Sequence, residues 1–218
     1  MINNYPSSIF KKRINNIENK IKNLGMKTIE ANRKVVFLLN DYNDEIAKEV
    51  IEYGDEINEI VFELEKICIK FIAIEQPLAG DLMFVESTIR VSNHLSRIGV
   101  LISKIAKEFK KVKDVKFPEK LLEDCQYMGV YVQLMLSKSI NAFLDRNKSM
   151  AKELKEDDNR VDDLFDSILS QVTELMSNNP DYISSAMTLI FIVRYLERIG
   201  DRTVNIGSRT IFMLTFKK

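Results

Sequence analysis

The sequence predicts an all-α protein built as two tandem three-helix bundles. This expectation rests on turn composition, apolar periodicity and an internal repeat. The 218 residues include only 7 Gly and 4 Pro, well below the usual shares of about 7% and 5%. Sandwiches and barrels need a turn every few residues, so a chain this poor in turn residues does not form one. Between the prolines, apolar residues instead recur every three or four positions, as on one face of a helix.

The first half of the chain is predicted to form three helices. They are expected at residues 7–40, 44–74 and 78–110. The polar pair Asn40–Asp41 marks a short turn after the first helix. Apolar side chains follow helical spacing over residues 64–72 of the second helix and 91–105 of the third. Pro77 stands just before the third helix, where its fixed φ and missing N–H do least harm.

The second half repeats this organisation. Its helices are expected at residues 117–145, 148–177 and 181–215. The polar segment Asp145–Asn147 marks the turn between the first two, and Pro180 stands just before the last. Residues 189–206 carry apolar side chains at helical spacing, so the last helix also buries one face.

An internal repeat divides the six helices into two equal sets. Leu24–Gly25 corresponds to Met128–Gly129 at an offset of 104 residues. In the last helix of each set, residues 95–99 match residues 196–200 at an offset of 101. A unit of about 100 residues is large enough to hold its own core. The two bundles are therefore predicted at residues 7–112 and 116–216, joined by the polar link at Lys110–Asp114.

The charge content excludes some classes of partner, and the cysteine content indicates the cellular compartment. Lys and Arg together number 32, as do Asp and Glu, so the chain lacks the basic excess typical of nucleic-acid binders. Cys68 and Cys125 lie among apolar neighbours and form no C-x-x-C pair, which favours buried thiols in a reducing compartment. The N-terminus lacks the features of a secretory signal, and no apolar run approaches the roughly 20 residues of a membrane span. A cytoplasmic protein is expected.

Two helices of the second bundle each carry a pair of carboxylates four residues apart. These pairs are Asp158 with Asp162, and Glu197 with Asp201. A spacing of four places both members of a pair on one helix face, where like charges repel. A hard cation would compensate this repulsion, because carboxylate oxygens suit magnesium, manganese, calcium and iron. If the two helices pack side by side, four carboxylates converge on a possible multinuclear metal site.

Two alternatives to a metal-binding regulator remain open. Arg194 and Arg198 precede the acids of the last helix by three residues, and Arg160 lies between the two aspartates. Salt bridges to these arginines would leave a metal-free helical scaffold. The second alternative is a carboxylate-bridged metalloenzyme. The single histidine, His94, cannot supply the two Glu-x-x-His motifs of a ferritin-type di-iron oxidase, and no nucleophile triad or phosphate-binding loop is evident. A non-enzymatic protein is therefore expected.

The motif at residues 194–206 closely resembles the hallmark helix of the PhoU family of phosphate-signalling regulators. Residues 76–82 are similar to that family's entry to its third helix, and Leu24–Gly25 with the turn at 40–43 is similar too. The resemblance covers about residues 7–215. It implies two tandem three-helix bundles and a protein that restrains phosphate uptake and the phosphate-starvation response.

The resemblance also implies partners and a cofactor. The partners would be the ATPase of a phosphate ABC transporter and a membrane sensor histidine kinase, with membrane contact only through these proteins, and the chain would form a homodimer. The family binds multinuclear metal clusters through paired E/D-x-x-x-D motifs. These motifs match Asp158, Asp162, Glu197 and Asp201 here, with iron as the expected metal and manganese, magnesium or zinc as alternatives.

The first bundle departs from that pattern. On its third helix the expected acids are replaced by Ser96 and Val100, and on its second helix by Gly54 and Asn58. Serine hydroxyls and amides are weak ligands, and valine and glycine offer no side-chain oxygen. Asp55 and Glu59 are four apart but lie one position round the helix and face no acidic partner. The metal site of the first bundle is therefore predicted to be absent.

Overall fold

A computed structural model describes residues 8–216 of the chain and confirms the all-α fold class. The helices are α1 (Ser8–Asn40), α2 (Asp44–Glu75), α3 (Ala79–Val112), α4 (Glu119–Leu144), α5 (Lys148–Asn178) and α6 (Ile183–Thr215), with a 3₁₀ turn at Pro180–Tyr182 before α6. The helix start and domain start predicted at residue 7 lie outside the described residues. The domain limits of 7–112 and 116–216 remain a prediction.

The helix ends follow from local chemistry. The side chain of Asn43 accepts hydrogen bonds from the backbone N–H groups of Glu45 and Ile46, and Asn147 caps α5 in the same way through the N–H of Met150. Such caps satisfy donors that the first turn of a helix leaves unpaired.

Three predicted boundaries differ from the structure by two residues, and four others differ by one. The third helix continues to Val112 rather than ending at 110, because Phe109 and Val112 extend its buried face. The fourth begins at Glu119 rather than 117, because Pro118 has a non-helical ψ of 134°. The sixth begins at Ile183 rather than 181, after the 3₁₀ turn at residues 180–182.

The bundles α1–α3 and α4–α6 share one apolar core and meet along two helix pairs, α1 with α4 and α3 with α6. The repeated glycines make the first contact possible. A Cβ on Gly25 would lie 2.7 Å from Cγ2 of Ile140, and one on Gly129 would lie 2.6 Å from Cδ1 of Leu39. Each glycine therefore allows a side chain of the other bundle to approach its backbone, as an approximate two-fold arrangement of the repeats requires.

The second contact runs between α3 and α6, which cross antiparallel. Near one end, Nε of Arg209 donates to Oγ of Ser87 at 3.1 Å. Toward the other, the ammonium group of Lys104 lies 5.6 Å from the ring centroid of Tyr195. These two contacts fix the register of the pair, so the segments around His94–Ile98 and Ile199–Arg202 lie side by side between them.

The structure also bears on the cysteines and on membrane insertion. Cys68 and Cys125 are both free and buried, as the sequence predicts. Desolvation raises the pKa of each thiol to about 12. Within residues 8–216, no helix has the length and apolar character needed to cross a bilayer.

Candidate functional site

The packing of α5 against α6 brings the two predicted carboxylate pairs into one electrostatic cluster. Asp158 is half-buried, and its pKa is raised to about 6 by desolvation and by the negative charges of Asp162 and Asp201. Asp162 reaches solvent, yet partial desolvation and Asp201 also raise its pKa. A carboxylate of α5 thus interacts with one of α6, as the sequence predicts. We call Asp158, Asp162, Glu197 and Asp201 the acidic cluster.

Glu197 is the most buried carboxylate of the α6 pair, with a side chain 13% exposed. Its Oε1 accepts a hydrogen bond from Nη1 of Arg194 at 2.8 Å, whereas its Oε2 is buried and has no hydrogen-bond partner. Burial and the charge of Asp201 raise the pKa of Glu197, and Arg194 opposes this only in part. A buried carboxylate oxygen without a partner is energetically unfavourable.

Asp158 fits beside α6 because position 200 is a glycine. A Cβ on Gly200 would lie 3.3 Å from Oδ1 of Asp158 and 3.5 Å from Cγ1 of Val161. The first distance is tighter than nearly all real Cβ contacts. Gly200 therefore provides the space in which the Asp158 carboxylate approaches the neighbouring helix.

The arginines neutralise little of this charge. Arg194 pairs with Glu197, as one alternative predicts. Arg160, however, turns away from the aspartates beside it. Its guanidinium lies 5.6 Å and 5.3 Å from the ring centroids of Tyr127 and Tyr131, and it donates to the hydroxyl of Tyr127. The metal-free alternative, in which Arg160 pairs with the aspartates, gains no support here, because two aromatic rings of α4 offer Arg160 a cation–π contact instead.

The donor chemistry of the acidic cluster suits a hard cation. Carboxylate oxygens are what such ions prefer, and the unpartnered Oε2 of Glu197 is a free anionic donor. Over the described part of the chain, however, no three His, Cys, Asp or Glu side chains already stand close enough together to hold one metal ion. A bound metal would thus require some of these side chains to turn toward one another.

The equivalent place in the first bundle is filled by close packing and a neutral hydrogen bond. Oγ of Ser96 donates to Oδ1 of Asn58 at 2.5 Å. A Cβ on Gly54 would overlap Oγ of Ser103 and would lie 3.0 Å from the carbonyl oxygen of Gly99. Position 54 therefore has no room for an aspartate. Asp55 and Glu59 are both exposed.

Gly99, a glycine inside a predicted helix, indicates close helix packing or ligand access from the sequence, but its neighbour Gly54 on α2 follows only from the structure. The offset of 104 places Gly54 opposite Asp158 in the repeat, and Gly99 and Gly200 match at the offset of 101. A glycine facing another glycine across the helix pair was a usable signal of close backbone approach.

His94 is half-buried on α3 beside α6, not in the acidic cluster. Desolvation lowers its pKa, and the positive charges of Arg202 and Arg90 lower it further. An imidazole among arginines is not placed to join the carboxylates in binding a cation.

The fold and the acidic cluster together define a class: an all-α protein of two repeated three-helix bundles, with a carboxylate cluster on the second. The PhoU domain matches this chain twice, over residues 12–109 and 126–210. The chain therefore belongs to the PhoU family, whose members are regulatory accessory proteins and not enzymes.

Individual relatives extend over nearly the whole chain. The phosphate-specific transport system accessory protein PhoU homolog 1 of Methanothermobacter thermautotrophicus is 46% identical over 214 residues, which is 98% of each chain. The crystal structure of PhoU from Pseudomonas aeruginosa superposes with a TM-score of 0.90 at 25% identity, covering 94% of this chain and 99% of that one. The phosphate transport system regulatory protein PhoU from Streptococcus pneumoniae gives a TM-score of 0.86 at 25% identity, covering 94% and 96%.

Proposed function

We propose that this protein is a cytoplasmic, non-enzymatic regulator of a phosphate-specific transport system. The observation that carries the proposal is the full-length similarity to a protein named as an accessory of such a system, at 46% identity. The twofold match to the PhoU domain supports it further. As a negative regulator it would restrain phosphate uptake and the phosphate-starvation response by contact with other proteins.

The proposed partners are the ATPase of the phosphate ABC transporter and a membrane sensor histidine kinase, with the chain acting as a homodimer. Affinity capture of the tagged protein from phosphate-replete cells of its own organism tests these partners. Recovery of both partners supports the proposal, and recovery of neither would contradict it. Deletion of the gene should leave phosphate uptake active in phosphate-rich medium.

The metal is the second part of the proposal. Asp158, Asp162, Glu197 and Asp201 would bind it, with iron expected first and manganese, magnesium or zinc as alternatives. The metal would supply positive charge that neutralises the acidic cluster and joins α5 to α6. Three features support this: mutual repulsion of the carboxylates, the raised pKa of Asp158, and the unpartnered buried oxygen of Glu197.

Elemental analysis of the purified chain tests the metal. The native protein should carry metal in stoichiometric amount, and Glu197→Gln/Asp201→Asn should lose it. Asp55→Asn/Glu59→Gln is the matched control, because it removes the same charge from an exposed pair with the same spacing on α2. Metal absent from the native protein after reconstitution would favour the metal-free scaffold. Oxygen consumption or phosphatase activity in the loaded protein would favour the metalloenzyme.

A further inference from the structure

The α3–α6 contact carries a group of positively charged side chains that the acidic cluster does not use. We call Arg97, Arg198, Arg202 and the neighbouring His94 the basic cluster. Among residues 8–216, five of the ten arginines form ion pairs with carboxylates and Arg160 bonds to Tyr127. The four arginines left without an ion pair are Arg33, Arg97, Arg198 and Arg202. Three of these four therefore belong to one helix pair.

The register of α3 and α6 places this cluster across the contact between the two bundles. Arg209 with Ser87 and Lys104 with Tyr195 hold the helices on either side of it. Between these contacts, Arg97 from the first bundle lies level with the α6 segment that carries Arg198 and Arg202. The cluster thus exists only because the bundles are packed together.

Within residues 8–216 no carboxylate forms an ion pair with Arg97, Arg198 or Arg202, although Arg198 acts weakly on Glu197. The charges that act on His94 are Arg202 from α6 and Arg90 from α3, and both are positive. Glu86 is already paired with Arg90 and Arg209. Asp201 of α6 interacts with α5, since it raises the pKa of both Asp158 and Asp162.

We propose that the basic cluster binds an inorganic phosphate ion, with Arg97, Arg198 and Arg202 as its donors. A guanidinium presents planar N–H groups that match the oxygens of a phosphate, and several together bind a dianion by charge-assisted hydrogen bonds. Arg202 is half-buried, so its interaction with an anion is less screened than at a fully exposed site. The inference deepens the proposed function, because it names a ligand, and rests on that function only for its biological meaning.

Titration of the full chain with potassium phosphate tests the site, by calorimetry and by ³¹P line broadening at constant ionic strength. A chelator in the buffer prevents phosphate from binding through a metal on the acidic cluster. Arg202→Gln should weaken phosphate binding about tenfold or more. Arg97→Gln, in the other bundle, should do the same. Arg33→Gln is the matched control, because it removes an arginine without an ion pair from α1 and should leave binding unchanged.

Several outcomes would overturn this site. One is that the native protein binds no phosphate in either measurement. Another is that Arg202→Gln, Arg97→Gln and Arg33→Gln all bind phosphate equally, which would indicate nonspecific attraction. A third arm uses phosphatidylglycerol vesicles. Vesicle binding that Arg202→Gln abolishes, while free phosphate neither binds nor competes, would assign the cluster to a lipid surface. Because the assays need no transporter, kinase or metal, their failure is separate from a failure of the proposed function.

Discussion

The two bundles pack differently at equivalent positions of the repeat. In the first, Gly54 lies against Gly99 and Ser103, and Asn58 accepts a hydrogen bond from Ser96. In the second, carboxylates occupy the corresponding positions, and among residues 8–216 their one ion pair is that between Arg194 and Glu197. One contact is neutral and closely packed, whereas the other holds unfavourable charge. A fold can therefore keep its shape while one repeat packs closely and the other collects negative charge at the same positions.

The largest effect that tests this comparison is expected at Gly54. Gly54→Ala should lower the free energy of unfolding by about 1–3 kcal/mol, because the new Cβ meets Oγ of Ser103 and the carbonyl oxygen of Gly99. Urea unfolding measures the change. Gly54→Ala/Ser103→Ala is the control and should recover part of the loss. If Gly54→Ala leaves the free energy of unfolding unchanged, the first bundle is not closely packed at this position.

A smaller effect of opposite sign is expected at Asp158. In metal-free protein at pH 7.5, Asp158→Asn should raise the free energy of unfolding by about 1 kcal/mol, after allowance for solvent screening. The folded state holds the proton more tightly than the unfolded state, since the pKa of Asp158 is raised to about 6.

The sign of the pH dependence follows from that raised pKa. The group contributes stability below its unfolded pKa of about 4 and loses that contribution as pH rises through about 6. The gain from Asp158→Asn should therefore disappear at acidic pH. Urea unfolding across this range measures it, with Asp55→Asn as the exposed control on α2. A gain that does not change with pH would mean that repulsion and burial of charge are not its source.

The smallest effect is expected at His94, whose equivalent in the second bundle is Tyr195. Burial, Arg202 and Arg90 lower the pKa of His94, so the unfolded state takes up its proton first as pH falls. Native protein should lose stability relative to His94→Gln between about pH 7 and pH 5. Thermal unfolding of both proteins across this range measures the difference. If the difference in stability does not change with pH, burial and the arginines do not lower the pKa of His94.

The sequence was sufficient to predict the helices and the repeat, because helical period and caps are local properties. The prediction of six helices is confirmed, with boundaries shifted by only a few residues at Val112, Glu119 and Ile183. The juxtaposition of α5 and α6 carboxylates also follows from spacing once the helices pair. The metal itself stays a prediction, since the side chains do not already converge on one ion.

Side-chain partners could not be predicted in the same way. Arg160 lies between two aspartates in sequence but bonds to Tyr127 on another helix. Arg194 and Arg198 look equivalent in the sequence, yet only Arg194 forms an ion pair. Each long side chain has several possible partners of similar energy, and the distances that choose between them depend on how helices pack.

Composition and periodicity are enough to predict the all-α class, the twofold repeat, the buried thiols and the positions of the carboxylates, because they specify which helix faces are apolar. Three features follow only from the packed helices: Asp158 and Glu197 are desolvated, Gly54 lies against Gly99 and Ser103, and Arg90 and Arg202 from different bundles both act on His94. The physical reason is that burial, repulsion and steric fit depend on distances between segments far apart in the chain. Those distances are fixed only when the two bundles pack on one shared core.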